Sequence, residues 1–196
     1  MKHADTVPDL PSNPPDKARD VSGALLDAFR DLLLERGYRR VTVLDIVARA
    51  RVARSTFYAH FDDKNDVLRR SIRPLLGILA RGVEQPDSTA RVRAVLEHFQ
   101  DKRQLAAVML RPPIRDVLAG FLAGEIEYRF AHRRRGSGGA PGPDAVPPAL
   151  AAAQVAGAQL ALIDAWLHER QPTSSNAVAR ALLETSRAMA GALFGD

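Results

Sequence analysis

Residues 37–68 decide the fold of this chain, and they read GYRRVTVLDIVARARVARSTFYAHFDDKNDVL. Apolar residues in this stretch recur at the three- and four-residue spacing of a helix face, which predicts two short helices over 43–50 and 54–61. Only residues 51–53 separate the two helices, so these must meet at a tight turn. Two short helices joined in this way predict a helix-turn-helix.

The ends of these helices carry signals of their own. Thr42 is a good N-cap for the helix over 43–50, and Asp45, three residues later, fits the acidic position of a capping box. An amphipathic helix is predicted before this stretch, over 21–36. Gly37 follows that helix at the position where a C-terminal glycine belongs. The residues therefore predict three helices with defined boundaries.

The rest of the chain is also helical in pattern. Helix-favouring Ala, Leu, Arg and Glu are abundant and runs of β-branched residues are absent, so we expect an all-α fold. A fourth helix can be capped by Asp62 or Asp63. It contains Pro74, which removes one backbone hydrogen bond and is expected to kink or break the helix. A loop rich in Gly, Pro and Ser is expected over 133–148. Further helices are predicted over 88–102, 104–110, 113–132, 148–170 and 176–194.

The pattern divides the chain into three parts. Residues 1–18 are polar, contain several prolines and lack an apolar run. They are expected to form a disordered tail, and neither a signal peptide nor a membrane anchor. Residues 19–66 form the three-helix helix-turn-helix domain, and residues 67–196 form a second helical domain. No uninterrupted apolar stretch of about 18 residues is present, so no membrane partner is expected.

Positive charge is concentrated in one part of the chain. The net charge is +5 at pH 7. Residues 19–82 hold 13 Lys/Arg and 8 Asp/Glu, a difference that equals the whole net charge. Between Arg36 and Arg54 there are six arginines and one acid, Asp45. Such an excess is typical of a nucleic-acid-binding face, although an arginine-rich solvated surface has the same composition.

The chain offers little for catalysis or metal binding. It has no cysteine, which excludes disulfides and thiolate metal sites and fits the reducing cytoplasm. Its five histidines are scattered, with no H-x-x-x-H, and it has neither a G-x-S-x-G motif nor a phosphate-binding loop. These motifs supply common hydrolase, metal and nucleotide sites. We therefore expect a cytoplasmic protein that is not an enzyme and needs no metal or cofactor.

The helix over 54–61 is the candidate recognition helix. A recognition helix places its N-terminal residues against base edges in the DNA major groove. Arginine is the usual bidentate partner of guanine, and small hydroxyl residues can bond to several base edges. We therefore expect Arg54, Ser55 and Thr56 to read the bases.

Other polar residues of this region suit the DNA backbone, because their donors can bind phosphate oxygens without reading sequence. Thr42 begins a helix and could offer both its hydroxyl and its backbone N–H to a phosphate. The alternative is that Tyr58 packs at the domain joint and His60 is ordinary polar surface. The residues expected at the DNA backbone are Arg39, Arg40, Thr42, Tyr58, His60 and Lys64.

Residues 20–70 resemble the DNA-binding domain of the TetR (tetracycline-repressor-like) family of bacterial transcriptional regulators. A second stretch, 156–194, is more loosely similar to the last two helices of that family. The positions that carry the main resemblance are 42–50, Val52, 55–61, Lys64 and Leu68.

This resemblance implies a homodimer in which the last two helices of each protomer pair across a two-fold axis. It implies that residues 67–196 form the effector-binding and dimerisation domain. It further implies a repressor that binds a pseudo-palindromic DNA operator and leaves it when a small-molecule effector binds. A regulator without a ligand, or an activator working through a protein partner, is the alternative.

Two features of this chain need separate comment. The family usually has glycine at the position of Arg51. If the turn needs a left-handed residue, Arg51 costs roughly 1–2 kcal/mol relative to glycine. Large apolar residues of the second domain could line an effector pocket, although ordinary core packing is the common fate of such residues. These candidates are Phe99, Met109, Phe121 and Trp166, the last of which could instead pack near the dimer seam.

Overall fold

A computed structural model describes residues 14–137, 146–169 and 173–194 of the chain. Over these ranges the protein is built from helices, with no strand. The prediction of an all-α fold is confirmed. Short 3₁₀ turns at Tyr38–Arg40 and Pro86–Ser88 interrupt the connections. The helices are α1 (Pro14–Arg36), α2 (Val43–Ala50), α3 (Arg54–His60), α4 (Lys64–Gly82), α5 (Thr89–Asp101), α6 (Arg103–Met109), α7 (Ile114–Ser137), α8 (Pro148–His168) and α9 (Ser175–Phe194).

Helix α1 begins earlier than its sequence suggested. It starts at Pro14, so the predicted disordered tail, residues 1–18, is wrong over 14–18. The rest of that tail lies outside the described residues. Proline lacks the backbone N–H that the first turn of a helix leaves unpaired, and its fixed φ suits that position. The prolines at the start of α1 are therefore compatible with the beginning of a helix.

Helices α1 to α4 enclose the core of the N-terminal domain. The rings of Phe57 and Phe61 are buried with their centroids 5.7 Å apart, so both point inward. Fully burying one such side chain is worth about 1.5–3 kcal/mol. Phe57 of α3 and Phe61, which follows it directly, thus hold the inner face of this helix against the other helices. Other buried residues of these helices include Leu25, Phe29, Leu32, Ile46 and Leu68.

Helix α4 connects the two domains without a break. It contains Pro74 but is continuous from Lys64 to Gly82, so the expectation that this proline breaks the helix is wrong. Pro74 is exposed. The carbonyl one turn earlier, which loses its partner to the proline, can therefore be hydrated. The domain boundary predicted near residue 66 falls within the first turn of this helix.

The second domain is arranged around α8, which packs against α7 and α9. Helix α8 is long and apolar enough to cross a membrane by length and composition, but half of its apolar window is buried inside the protein. Packing against its neighbours accounts for that composition. Helix α7 continues to Ser137, so the loop predicted over 133–148 is wrong at its start. Residues 138–145 lie outside the described part of the chain.

Candidate nucleic-acid interface

The capping box at the start of α2 is formed as predicted. The Thr42 hydroxyl accepts a hydrogen bond from the Asp45 N–H at 3.2 Å. In return the Thr42 N–H donates to Asp45 Oδ2 at 2.9 Å, and the Thr42 hydroxyl donates to the same oxygen at 2.6 Å. The Thr42 hydroxyl, its backbone N–H and nearby Arg36 hold the pKa of the Asp45 carboxyl below its ordinary value of 3.8.

This geometry gives Thr42 a role within the protein itself, and its expected contact with a phosphate stays a prediction. Both groups that the sequence offered to a phosphate donate to Asp45 instead. A carboxylate three residues along the same helix turn is always within reach, whereas a phosphate must be brought there by binding. Thr42 is therefore a cap that orients α2.

The turn between α2 and α3 contains a residue in a left-handed conformation. Arg51 has φ 56° and ψ 40°, and among the described residues it is the sole non-glycine with positive φ. Its N–H donates to the Ala48 carbonyl at 3.3 Å, which closes the end of α2. The turn therefore requires a left-handed residue, so the cost expected for Arg51 relative to glycine applies.

Helix α3 turns one face inward and the other outward. Phe57 is buried, whereas Arg54 and Ser55 are exposed and Tyr58 is 48% exposed. The Arg54 guanidinium lies 5.5 Å from the centroid of the Tyr58 ring and donates to its hydroxyl at 3.4 Å. Tyr58 therefore does not pack away at a domain joint, and the alternative reading of this residue is wrong. Thr56, on the same helix, is half-buried.

The structure gives Lys64 a different role from the one predicted. Its Nζ donates to the Tyr38 carbonyl at 3.1 Å and to the Val41 carbonyl at 2.9 Å. It also lies 4.5 Å from the centroid of the Tyr38 ring. These acceptors belong to the segment before α2, which α4 reaches only in the folded domain. Lys64 therefore ties α4 to that segment. His60, expected at the backbone, is half-buried beside Phe61.

Two ion pairs that are not evident from the sequence hold α1 against α2. Arg49 donates to both oxygens of Glu35, at 2.8 and 2.7 Å, and this lowers the pKa of the Glu35 carboxyl. Arg36 lies 3.1 Å from Asp45. Two of the six arginines counted as a basic face are thus used inside the domain. Within the described residues, four others form no ion pair and are exposed: Arg39, Arg40, Arg51 and Arg54.

Of the four residues predicted to line an effector pocket, two lie at a cavity and two lie elsewhere. Phe99 and Met109 line a cavity of about 260 Å³ between α1, α4, α5 and α6. Phe121 and Trp166 do not line that cavity, and their part in ligand binding stays a prediction. Phe121 packs half-buried against the core. The Trp166 Nε1–H donates to the Thr173 carbonyl at 2.9 Å, which joins α8 to the segment before α9.

The arrangement defines a class of protein. A capped α2, a three-residue turn and an α3 with a buried aromatic face form a helix-turn-helix on a three-helix core. The outward face of α3 carries arginine, serine and tyrosine, which are donors suited to DNA. The N-terminal domain is a helix-turn-helix of the DNA-binding type.

Comparison with known proteins narrows this class. Residues 25–70 match the family described as "Bacterial regulatory proteins, tetR family". The uncharacterised helix-turn-helix-type transcriptional regulator YdeS of Bacillus subtilis (strain 168) is 28% identical over 112 residues, which is 57% of this chain. The chain spans about half of that relative, since the match covers 54% of it.

Solved structures share the whole fold. A TetR-family regulator from Streptomyces coelicolor A3 is 20% identical with a TM-score of 0.62, covering 91% of this chain and 97% of the other. A TetR transcriptional regulator from Streptococcus agalactiae 2603V is 22% identical with a TM-score of 0.55, covering 88% and 96%. A SmeT–triclosan complex is 22% identical with a TM-score of 0.51, covering 86% and 90%. Residues 25–70 are thus similar to the tetR family of bacterial regulatory proteins, and the whole chain shares its fold with these solved structures.

Proposed function

We propose that this protein is a cytoplasmic, sequence-specific DNA-binding transcription regulator that acts as a homodimeric repressor. The observation that carries the proposal is the outward face of α3, where Arg54, Ser55 and Tyr58 stand exposed over a helix anchored by Phe57. A helix held in this way can enter the major groove as a rigid unit.

The exposed residues divide into two roles. Arg54, Ser55 and Thr56 begin α3 and read base edges, the arginine preferring guanine. Tyr58 and His60 lie further along the helix and donate to phosphates. The remaining contacts to phosphate come from arginines that form no ion pair among the described residues, namely Arg39, Arg40 and Arg51.

Dimerisation is proposed through α8 and α9. Their inner sides pack against each other, and their outer sides expose alanines. Outer faces built from small side chains allow a second pair of helices to approach closely and form a two-fold symmetric four-helix bundle. The two recognition helices would then lie about 34–36 Å apart and read a pseudo-palindrome. The exposed alanines are Ala153, Ala161, Ala165, Ala181, Ala188 and Ala192.

A small-molecule effector is proposed because the protein contains a cavity of suitable kind. The cavity between α1 and α6 holds about 260 Å³, just below the range of about 300–1,000 Å³ that is usual for ligand pockets. SmeT, which shares the fold, has been solved with triclosan. The likeness is one of fold, so the effector proposal rests on the cavity.

The test begins with selection of bound duplexes from random DNA, followed by fluorescence anisotropy on the selected and a scrambled duplex. We expect nanomolar binding to the selected duplex with two protomers per site. With four to six charged phosphate contacts per dimer, the slope of log K against log[salt] is expected at about −4 to −5. A selection that enriches no sequence, with equal weak binding to both duplexes, would overturn the proposal.

A matched control separates DNA contact from general charge. Arg54→Ala removes an arginine from the outward face of α3, whereas Arg93→Ala removes an exposed arginine from α5. Both variants lose one positive charge per protomer. Specific binding is expected to fall for Arg54→Ala and to stay near the parent value for Arg93→Ala.

A further inference from the structure

The apolar cavity described above lies between the two domains. One wall is α1 of the DNA-binding domain, with Leu26 and Phe29. The other wall comes from α4, α5 and α6, with Leu75, Phe99 and Met109. An occupant of this cavity would therefore touch both domains at once.

The core of the second domain leaves much less space. A void of about 10 Å³ is lined by Leu76, Leu110, Leu118 and Leu160, among others. Phe99 and Met109 line both this void and the larger cavity, so they stand between the two. A ligand that enters without displacing these side chains is confined to the junction of the domains.

The size and lining of the cavity limit its ligand. An apolar cavity of about 150 Å³ is enough to hold benzene, so about 260 Å³ accommodates a substituted aromatic ring or a short alkyl chain. The walls are mainly leucine, phenylalanine and methionine side chains. The body of the ligand is therefore apolar and small.

The charges at the rim favour an anionic group. Arg30 lies 2.7 Å from Asp27, so these two charges offset each other. Lys102 also lines the cavity and forms no ion pair with any residue that the structure describes. His98 adds a ring nitrogen at the same rim. The uncompensated charge at the rim is thus positive.

The wall formed by α1 is firmly attached to the helix-turn-helix. Glu35, near the end of α1, is held by two hydrogen bonds from Arg49 of α2. Phe29 lines the cavity, and the centroid of its ring lies 6.3 Å from that of Tyr38, in the segment that leads into α2. A displacement of α1 away from α6 would consequently carry α3 with it.

We propose that this junction cavity is a binding site for a small amphipathic anion, an aromatic or short-chain carboxylate. Its apolar part lies among Phe29, Leu75 and Phe99, and its carboxylate lies at Lys102. Binding separates α1 from α6 and so changes the placement of the recognition helix. This last step, and only this step, rests on the proposed function.

Ligand-observed ¹⁹F NMR on the full-length protein tests the site without DNA. The probes are 4-(trifluoromethyl)benzoate and its neutral counterpart, 4-(trifluoromethyl)benzamide. A Cβ added at Gly23, which lines the cavity, meets no atom within 4 Å, and the same holds at Gly120 on α7. Gly23→Leu therefore places an apolar side chain at the cavity with room for its Cβ, and Gly120→Leu is the matched control outside it.

We expect the benzoate to bind more tightly than the amide. Gly23→Leu should weaken benzoate binding at least tenfold, and Gly120→Leu should leave it unchanged. Lys102→Ala should cost about fivefold for the benzoate, the upper range of an exposed ion pair, and nothing for the amide. Absence of benzoate binding, or equal binding to parent and Gly23→Leu, would overturn the site. Equal affinity for the two probes would overturn the anionic preference.

Anisotropy on the selected duplex then tests the coupling. Saturating benzoate should weaken DNA binding by the parent and leave Gly23→Leu unaffected. Benzoate binding with unchanged DNA affinity would show the coupling to be wrong. Failure to bind any duplex without benzoate would count against the regulator function and leave the NMR result standing.

Discussion

Replacing Arg51 by glycine should stabilise the protein relative to the alanine variant at the same position. Arg51 holds φ 56° and ψ 40° in the turn between α2 and α3. Its side chain is exposed and forms no ion pair with the described residues. Substitution here removes few contacts, so the backbone conformation dominates the result.

The magnitude follows from two opposing effects. An L-residue in the left-handed region costs about 1–2 kcal/mol, which glycine does not incur. Glycine makes the unfolded chain more flexible, which costs about 0.4–1 kcal/mol relative to alanine. The difference leaves Arg51→Gly more stable than Arg51→Ala by about 1 kcal/mol. In a chain of this size that corresponds to a Tm difference of about 2–4 °C.

Comparison with alanine makes the measurement clean. Both substitutions remove the positive charge near the C-terminus of α2, where a cation is favourable by about 0.3–1 kcal/mol. Only glycine relieves the backbone. The assay is urea unfolding monitored by circular dichroism, with calorimetry for Tm. An Arg51→Gly protein no more stable than Arg51→Ala would refute the strained left-handed conformation.

The same two variants test a phosphate contact by Arg51. Both should bind the selected duplex more weakly at low salt, because each dimer loses two charged contacts. The salt slope should become shallower by about 2 for both variants alike. An unchanged slope would show that Arg51 does not reach the DNA.

Three further outcomes are expected. Lys64→Met should lower the free energy of unfolding by about 1–3 kcal/mol, since the carbonyls of Tyr38 and Val41 lose a charged donor. The salt slope of DNA binding should stay unchanged, and a shallower slope with unchanged stability would contradict this role. Arg54→Ala should reduce the discrimination between bases at one position in each half-site by about 1–3 kcal/mol, as measured on single-base variants of the operator. An equal loss of affinity on all duplexes would exclude base reading by Arg54. The pKa of Asp45 is lower in the folded protein than its ordinary value of 3.8, so its carboxylate contributes to stability above pH 3.8 and loses that contribution as the pH falls through the folded value. The free energy of unfolding in urea should therefore differ less between pH 5 and pH 3 for Asp45→Asn than for the parent.

The local structure of the helix-turn-helix was readable from the sequence. The Thr42 cap, the bounds of α2 and the condition attached to Arg51 all match the structure. Each depends on residues within about four positions of one another. Cap hydrogen bonds and helix periodicity act over that distance, so the signal lies in the sequence itself.

Only the tertiary structure decided which charged groups face solvent and where the chain leaves space. Lys64 bonds to carbonyls 23 and 26 residues away, and Arg49 pairs with Glu35 across two helices. The junction cavity exists because α1 meets α5 and α6, whose residues are far apart in the chain. Composition records how many arginines and phenylalanines are present. Whether they pair, pack or leave a gap depends on how closely distant helix surfaces fit when they meet.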